Sequence, residues 1–339
     1  MPSQKTLIGL NGYGRIGRLL HRLLLKHPML QVAAINARSE DAAMRAHLLK
    51  YDSIHGPITN KIEAKNGNTL MVDGKTVQCV AMKEASEIPW GKLGVEIVVE
   101  GTGKAKTHDV AAKHLVGGAN RVLVSAPMKD DTPTFVIGVN EKKLKASDTV
   151  VSNASCTTNC VALPIKLIHD RWGVHYVSIS SIHAVTHSQN LLDNSGRDLR
   201  RARSALMSII PTTTGAAQIL AKILPDLEGK MDGIAYRVPI VNSSMAELTI
   251  HTVKKVTKEE VNAFFRDIVQ KPYWDPILDV CDEPLVSIDF KGNPHSSIID
   301  LGLTQVTGGH YLKLFAWYDN EWGYVNRLME MLELMTTKL

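Results

Sequence analysis

The arrangement of apolar and polar residues changes near the middle of the chain. In the first half, short apolar runs alternate with stretches whose apolar residues recur every three or four positions. The runs predict buried strands, and the periodic stretches predict helices. This alternation predicts a parallel, doubly wound sheet up to about residue 150. The predicted strands are residues 5–11, 31–35, 97–100 and 121–125, with a hairpin insertion over 61–81.

The second half favours another kind of sheet. Beyond residue 172, long runs rich in strand-forming residues follow one another with few helical patterns between them. Such a pattern predicts a mixed, largely antiparallel sheet with helices on one face, and thus an α/β domain followed by an α+β domain. Residues 323–336 predict a last amphipathic helix. The predicted strands are residues 174–184, 232–238, 248–256, 297–306 and 311–318.

A glycine-rich turn follows the first predicted strand at once. Gly12, Gly14 and Gly17 form a G-x-G-x-x-G pattern between that strand and a helix. The first glycine permits a tight turn, the second lets a pyrophosphate approach, and the third lets helix and strand pack closely. Because the pattern lies between a strand and a helix, we interpret it as a dinucleotide-binding turn.

The end of the second strand lacks the acidic residue expected to bind the adenosine ribose. Ala37 stands there, followed by Arg38 and Ser39. Either the ribose is held less tightly, or Arg38 and Ser39 accept a 2′-phosphate. The alternative is that Arg38 is only a solvated surface charge. We expect use of both NAD and NADP, with a lean towards NADP.

The segment Ser152–Cys160 joins a short strand to a helical pattern. Cys156 lies at the junction, with Ser155 and Thr157 as candidate capping side chains. Unpaired N–H groups and the positive end of the helix dipole favour a thiolate there. We therefore expect Cys156 to be a nucleophile with a lowered pKa, against the alternative of a buried structural cysteine.

Two residues of the second half are candidates for chemistry beside this cysteine. His183 ends a strand-like run, from which its side chain can point towards the Cys156 helix, although a lone histidine is more often structural. Arg237 lies in the centre of an apolar strand, where an unpaired charge is costly. We expect Arg237 to meet a carboxylate or a bound anion.

Composition narrows the function class. The 339 residues favour two domains, and 44% hydrophobic residues is ordinary for a globular enzyme. The net charge of +5 is scattered apart from the arginines of residues 197–203, which suits anionic small molecules better than nucleic acid. No window predicts a membrane span, and no signal peptide is recognisable. The four cysteines lack zinc-type spacing, so we expect a cytoplasmic protein with no metal and no disulfides.

Several separate motifs together resemble one family over essentially the whole chain. The sequence is similar to the phosphorylating glyceraldehyde-3-phosphate dehydrogenases. The resemblance implies an NAD(P)-dependent oxidoreductase of glycolysis or gluconeogenesis. Such an enzyme converts glyceraldehyde 3-phosphate reversibly to 1,3-bisphosphoglycerate through a cysteine thiohemiacetal and thioester. The matching stretches are residues 11–18, 50–56, 125–127, 154–160, 198–203, 211–217 and 317–324.

The resemblance also implies roles for individual residues. Cys156 resembles the nucleophile and His183 the base. Thr186 and Arg237 resemble the pocket for the substrate's own phosphate. The pocket for the attacking inorganic phosphate is implied to comprise Ser155, Thr157, Arg201, Thr214 and Gly215. The implied cofactor contacts are Gly12, Gly14, Arg15, Ile16, Gly17, Ala37, Arg38, Lys83, Thr102, Ser125 and Asn320, with Asn320 facing the nicotinamide amide.

The family's architecture is a Rossmann domain, here residues 1–155 completed by the C-terminal helix 320–339, and a catalytic domain, here 156–319. Its members are usually homotetramers whose arginine-rich loop, here about residues 188–203, reaches a neighbour's cofactor site.

The sequence departs from the family pattern at two places. Asn194-Ser195 stands where many NAD-using members have Leu-Pro, and a serine like Ser195 occurs in photosynthetic NADP-using ones. Gly103-Lys104-Ala105 lacks the usual aromatic residue.

Two other functions stay open on the sequence alone. Erythrose-4-phosphate dehydrogenases share the thiol chemistry but tend to lack residues matching Thr186 and Thr214-Gly215, which are present here. A non-enzymatic nucleotide-binding or RNA-binding role is the other. Intact Cys156 and His183 argue against it as the main function.

Overall fold

A computed structural model describes residues 5–39, 41–196 and 198–337. The chain divides into two compact units, each built on its own sheet. The first takes the described residues of Met1–Phe135, Lys142–Ala154 and Val325–Leu339, and the second takes those of Val136–Glu141 and Ser155–Tyr324. The predicted fold class, a Rossmann-type parallel sheet domain with an α+β domain, is confirmed.

The sheet of the first unit is parallel except at one edge. Its order is β3-β4-β5-β2-β1-β6-β7-β8, and only the pairs β3–β4 and β4–β5 are antiparallel. These strands are Thr6–Asn11, Leu30–Asn36, Ile62–Lys65, Thr69–Val72, Lys75–Val80, Ile97–Glu100, Arg121–Val124 and Val150–Ser152, numbered β1 to β8. The helices are α1 (Arg15–Leu24), α2 (Ala42–Lys50) and α3 (His108–Val116). Strands β6 and β7 are buried at every position, as expected of parallel strands covered on both faces.

Two of the three glycines around the turn between β1 and α1 leave no room for a side chain. Gly12 has a φ of 95°, and a Cβ there would lie 2.9 Å from the backbone nitrogen of Thr102. A Cβ on Gly17 would lie 2.4 Å from the carbonyl oxygen of Gly12. The tight turn and the close packing predicted from the glycine pattern are therefore confirmed.

The sheet of the second unit is mixed and largely antiparallel. Its order is β10-β11-β9-β12-β16-β14-β13, with β15 on β16, and only β9–β11 and β13–β14 are parallel. These strands are Val174–Ala184, Ile210–Thr213, Met231–Val238, Ser244–Thr252, Leu278–Cys281, Ser297–Asp300, Gln305–Thr307 and Tyr311–Tyr318, numbered β9 to β16. The helices are α4 (Cys156–Trp172), α5 (Ala216–Ile223), α6 (Lys258–Val269) and α7 (Trp322–Thr336), and α7 continues into the first unit from Val325.

Short 3₁₀ turns complete the described structure, at Ala85–Glu87, Gly91–Leu93, Glu141–Lys143, Pro225–Leu227 and Ser287–Phe290. Among the described residues, no helix has both the length and the apolar character needed to cross a bilayer.

Two strand predictions were wrong in their bounds. Strand β12 covers 244–252 rather than 248–256, because its register shifts at His251 and the hydroxyl of Thr252 then donates to the carbonyl of Lys254. The run 297–306 contains two strands, because the Asp300 carboxylate accepts the N–H of Leu303 at 3.2 Å and turns the chain. Side chain–backbone bonds of this kind compete with a continuing ladder.

Three elements escaped the sequence pattern. Strands β10 and β13 lie outside the predicted strands. Helix α6 was not predicted, although Thr257 and Glu260 form a capping box at its start. That box, T-x-x-E before an apolar run, was the available signal.

Candidate active site

Cys156 is the first residue of α4, directly after its N-cap. The hydroxyl of Ser155 accepts the N–H of Thr158 at 3.1 Å, which confirms Ser155 as the capping side chain. Ala154 precedes it with a φ of 55°, a left-handed conformation that costs a non-glycine residue about 1–2 kcal/mol. Such strain persists only where surrounding contacts hold it, and it often marks a functional turn.

The thiol of Cys156 faces an imidazole. His183, near the end of β9, places Nε2 at 3.4 Å from Cys156 Sγ, and its side chain is buried. This separation is within the range of a hydrogen bond to sulfur. The pair has the geometry of a nucleophile and its base.

Two groups contact the far nitrogen of the His183 ring. Nδ1 lies 2.7 Å from the carbonyl oxygen of Ala184, which can only accept, and it also contacts Arg237 Nη1, which can only donate. The two contacts therefore require opposite tautomers. The tautomer that donates from Nδ1 to the carbonyl leaves the lone pair of Nε2 towards the sulfur, as a base for Cys156 requires. Arg237 Nη1 also donates to the same carbonyl at 3.2 Å.

Burial and the Arg237 charge together keep His183 neutral, lowering its pKa to about 3. Burial also raises the pKa of the Cys156 thiol, although Arg237 and the Thr157 N–H act in the opposite direction. The lowered thiol pKa predicted from the helix start is therefore wrong, because desolvation outweighs both stabilising contacts. The thiol must therefore lose its proton before it can attack, and Nε2 of His183 lies within hydrogen-bond distance of it.

Tyr318 is a neighbour of this pair that sequence reasoning did not single out. Its hydroxyl lies 3.1 Å from Thr157 Oγ1 and 3.3 Å from Ser181 Oγ, and its ring stands edge-on to His183 at 6.1 Å. Burial raises the pKa of Tyr318, so the phenol stays protonated. The only sequence signal was its place in the 317–324 stretch.

Arg237 lies beside His183 because β11 pairs with β9 in parallel register, residue 237 opposite 183. Its Nε is buried and has no hydrogen-bond partner among the described residues, and no carboxylate pairs with it there. A bound anion is the partner that would complete this group.

The other predicted phosphate contacts lie on loops and on a helix start of the same unit. Thr186 Oγ1 donates to Gln189 at 3.0 Å, and Arg201 Nε donates to Thr212 Oγ1 at 2.6 Å. Thr214 Oγ1 accepts the N–H of Ala216, and Gly215 is the N-cap of α5. Thr157 does not cap α4, since its hydroxyl contacts Tyr318.

The glycine turn of the first unit fits a dinucleotide. A Cβ built on Gly14 meets no atom within 4 Å, so the space before α1 is open where a pyrophosphate would approach the N–H groups of the helix. Arg15, at the start of α1, forms a bidentate pair with Asp52 at 2.6 and 3.1 Å. Burial opposes ionisation of Asp52, yet bonds from Arg15 and two backbone N–H groups lower its pKa. Ile16 is half-buried beside Arg15.

A buried carboxylate behind Thr102 was also missed. Glu100 accepts the Thr102 N–H at 2.9 Å, contacts Asn11 and lies 3.0 Å from His114 Nε2. Trp90 Nε1 donates to His114 Nδ1 at 3.0 Å, so His114 donates from Nε2 to Glu100. Burial opposes ionisation, but these donors lower the pKa of Glu100. The network fixes the loop of Thr102, and the N–H of Ser125 donates to the Glu100 carbonyl.

The end of β2 carries the remaining predicted contacts. Ala37 donates its N–H to the Val80 carbonyl at 3.2 Å, while Arg38 and Lys83 are exposed. Arg45 of α2 is buried and donates to the carbonyls of Ile35, Val80 and Ser39. Arg45 was not recognised from the sequence as a buried charge, because there it looks like an ordinary arginine on a helix.

Both halves of the chain match one protein family. Residues 155–320 match the family model described as "Glyceraldehyde 3-phosphate dehydrogenase, C-terminal domain", and residues 6–108 match "Glyceraldehyde 3-phosphate dehydrogenase, NAD binding domain". A chloroplastic glyceraldehyde-3-phosphate dehydrogenase of Arabidopsis thaliana is 44% identical over 98% of this chain and 84% of its own.

Two bacterial relatives are similar over nearly their whole length. Glyceraldehyde-3-phosphate dehydrogenase 1 of Bacillus cereus is 44% identical over 98% of this chain and 99% of its own. The Geobacillus stearothermophilus enzyme of that name is 44% identical over 98% of both chains. These matches confirm the resemblance in both halves of the sequence. The chain therefore belongs to the glyceraldehyde-3-phosphate dehydrogenase family.

Proposed function

We propose that this chain catalyses the reversible, phosphorylating oxidation of glyceraldehyde 3-phosphate to 1,3-bisphosphoglycerate with a nicotinamide cofactor. The observation that carries the proposal is the 3.4 Å contact between Cys156 Sγ and His183 Nε2. Arg237 beside them supplies a positive charge that lacks a carboxylate partner among the described residues. Family membership and the names of the relatives support the three-carbon substrate over erythrose 4-phosphate.

The two side chains divide the chemistry between them. Cys156 Sγ adds to the aldehyde carbon while its proton passes to His183 Nε2 and on to the new hydroxyl oxygen, giving a thiohemiacetal. The bound cofactor supplies a hydride acceptor. His183 takes back the hydroxyl proton as the hydride leaves, so that Cys156 carries a thioester. Inorganic phosphate then attacks the thioester carbonyl and expels the Cys156 thiolate. The product is an acyl phosphate.

Two anion pockets are needed for this sequence. We assign Thr186 and Arg237 to the substrate's own phosphate, since the Nε of Arg237 is buried and has no hydrogen-bond partner among the described residues. The attacking phosphate is assigned to Ser155, Thr157, Arg201, Thr214 and Gly215. Arg201 supports that assignment, because its hydrogen bond to Thr212 brings a guanidinium to β10, the strand that precedes Thr214.

Cofactor binding is assigned to residues 1–155 together with 320–339, and catalysis is assigned to residues 156–319. Within these ranges, residues 1–4, 40, 197, 338 and 339 lie outside the described structure. The open space at Gly14 and the start of α1 support this assignment. The contacts are Gly12, Gly14, Arg15, Ile16, Gly17, Ala37, Arg38, Lys83, Thr102, Ser125 and Asn320.

One assay tests the proposed function. Nicotinamide absorbance is followed with glyceraldehyde 3-phosphate or erythrose 4-phosphate, with NAD or NADP, and with or without inorganic phosphate. We expect rapid, phosphate-dependent reduction with the three-carbon aldehyde. Turnover that prefers erythrose 4-phosphate, or that does not need phosphate, would overturn the proposal.

For the cofactor, we propose dual use with a lean towards NADP. A carboxylate at the end of β2 would bind the ribose hydroxyls and repel a 2′-phosphate, and Ala37 does neither. Arg38 is exposed there, and buried Arg45 adds a positive charge that only carbonyl groups contact among the described residues. A charged hydrogen bond contributes roughly 1.5–3 kcal/mol, enough for at least about a tenfold preference.

Ala37→Asp is expected to lower kcat/KM with NADP much more than with NAD. Arg38→Gln removes the positive charge and adds no negative one. It should lower kcat/KM with NADP and leave kcat/KM with NAD unchanged. The measurement is kcat/KM for both cofactors in the wild type and both variants. A wild type that already rejects NADP by more than about a hundredfold, near 2.7 kcal/mol, would show that the argument from Ala37 is wrong.

We also propose a homotetramer. Large apolar side chains crowd the loop that joins β9 to β10 and are strongly exposed, among them Leu191 at 67%, Leu199 at 85% and Met207 at 86%. Exposed apolar surface of this kind marks an interaction site. Sedimentation equilibrium giving a monomer at micromolar concentration would overturn the proposal. The cytoplasmic location expected from cysteine usage stays a prediction.

A further inference from the structure

The amide of Asn320 is held from one side by a serine hydroxyl. Asn320 immediately precedes Glu321 and the start of α7 and is only 7% exposed. Ser244 Oγ lies 2.8 Å from Asn320 Oδ1, and Ser244 is itself 1% exposed. The two residues are 76 positions apart. They meet because β12 begins at Ser244 and pairs there with the last residue of β16, Tyr318.

The hydrogen bonds of Ser244 determine the orientation of the Asn320 amide. Ser244 Oγ accepts the N–H of Ala184 at 3.0 Å, and its single proton needs an acceptor, because a buried hydroxyl without one is costly. The oxygen of the Asn320 amide is that acceptor. The amide nitrogen must then point the other way, and it has no hydrogen-bond partner among residues 5–39, 41–196 and 198–337.

The turn before Ser244 holds the backbone next to Asn320 as well. Asn242 Nδ2 donates to Asp319 Oδ2 at 2.8 Å. The other oxygen of Asp319 accepts the N–H groups of Glu321 and Trp322 at 2.9 and 2.8 Å. Between Asn242 and Ser244, Ser243 has a φ of 61°, a conformation that costs a non-glycine residue free energy. The strained turn thus places the side chain of Asn242 against Asp319 and that of Ser244 against Asn320.

We propose that Ser244 is a positioning residue that orients the Asn320 carboxamide so that its nitrogen is presented to the carbonyl oxygen of the nicotinamide carboxamide. The inference rests on the proposed function, which assigns Asn320 to the cofactor. Ser244 also ties Asn320 to the backbone of Ala184, the residue after His183, whose carbonyl oxygen lies 2.7 Å from His183 Nδ1. One hydroxyl therefore links cofactor orientation to the strand end that carries the base.

A double-mutant cycle on equilibrium binding tests the proposal. The dissociation constant of NADH, whose ring is uncharged, is measured by fluorescence titration for Ser244→Ala, Asn320→Ala and the double variant. Without the serine proton the amide of Asn320 is free to turn, so we expect Ser244→Ala to weaken binding about tenfold. In the Asn320→Ala background, the same change should weaken binding less than about twofold.

Ser243→Ala is the matched control. It removes a hydroxyl from the adjacent residue, where Oγ is buried and unpaired among the described residues, so binding should stay within about twofold of the wild type. Asn320→Asp gives a reading that does not depend on the folding of Ser244→Ala. It keeps an acceptor for Ser244 and replaces the nitrogen donor by a carboxylate oxygen that also carries charge, and should weaken NADH binding about tenfold or more.

The outcomes separate the inference from the proposed function. Additive effects of the two alanine substitutions, an unchanged dissociation constant in Ser244→Ala, or an unchanged one in Asn320→Asp would each overturn the inference alone. A wild-type protein that binds no nicotinamide dinucleotide would overturn the proposed function and the inference with it. Rescue of NADH binding by Ser244→Thr, which keeps the hydroxyl, would support the hydrogen bond as the cause.

Discussion

Cys156→Ser is expected to lower kcat by at least about 10⁴-fold, because a serine hydroxyl in the same place is a far weaker nucleophile. The cofactor should still bind, since the substitution changes one atom. The contact of 3.4 Å to His183 Nε2 gives Cys156 a route for its proton. Turnover and cofactor dissociation constants measured on the same preparation check both expectations.

Cys160→Ser is the matched control, one helical turn further along α4. Cys160 is fully buried, and burial raises its pKa far from the range in which a thiolate forms. Its sulfur lies 3.9 Å from Ser297 Oγ and from the Ala316 carbonyl, so the packing is structural. We expect Cys160→Ser to keep most activity. Substantial dehydrogenase activity in Cys156→Ser would sink the assignment of Cys156.

His183→Asn is expected to slow the chemical step by about 10²–10⁴-fold, the usual contribution of a positioned base. Burial and the Arg237 charge lower the pKa of His183 to about 3, so its imidazole is neutral throughout the neutral range. Burial raises the pKa of Cys156, so its alkylation should speed up as pH rises and the thiolate forms. Without the imidazole, that rise should move to still higher pH.

The pH profile of iodoacetamide reaction with Cys156, recorded beside kcat, checks this prediction. His187→Asn is the control, because His187 is exposed on the loop after β9 and the described structure gives it no contact with Cys156. An unchanged profile in His183→Asn, with a shifted one in His187→Asn, would reverse the two assignments.

The elements that frame the site follow from local sequence. Ile97–Glu100, Val174–Ala184 and Tyr311–Tyr318 are strands with the predicted bounds, because their composition suits a strand at almost every position. The glycine pattern likewise predicted the turn before α1, since a Cβ on Gly17 would meet the Gly12 carbonyl. Ser155 was predictable as a cap because capping involves residues three apart.

Other features of the site depend on contacts between residues that are far apart in the sequence. The pairing of β9 with β11 puts Arg237 beside His183, 54 positions away, and no local pattern contains that register. The sign of the Cys156 pKa shift was mispredicted because the helix start is visible in sequence, whereas burial depends on how the whole unit packs. Ser244 and Asn320 meet for the same reason. Sequence thus determined which groups this protein has, and long-range packing determined their orientation and charge.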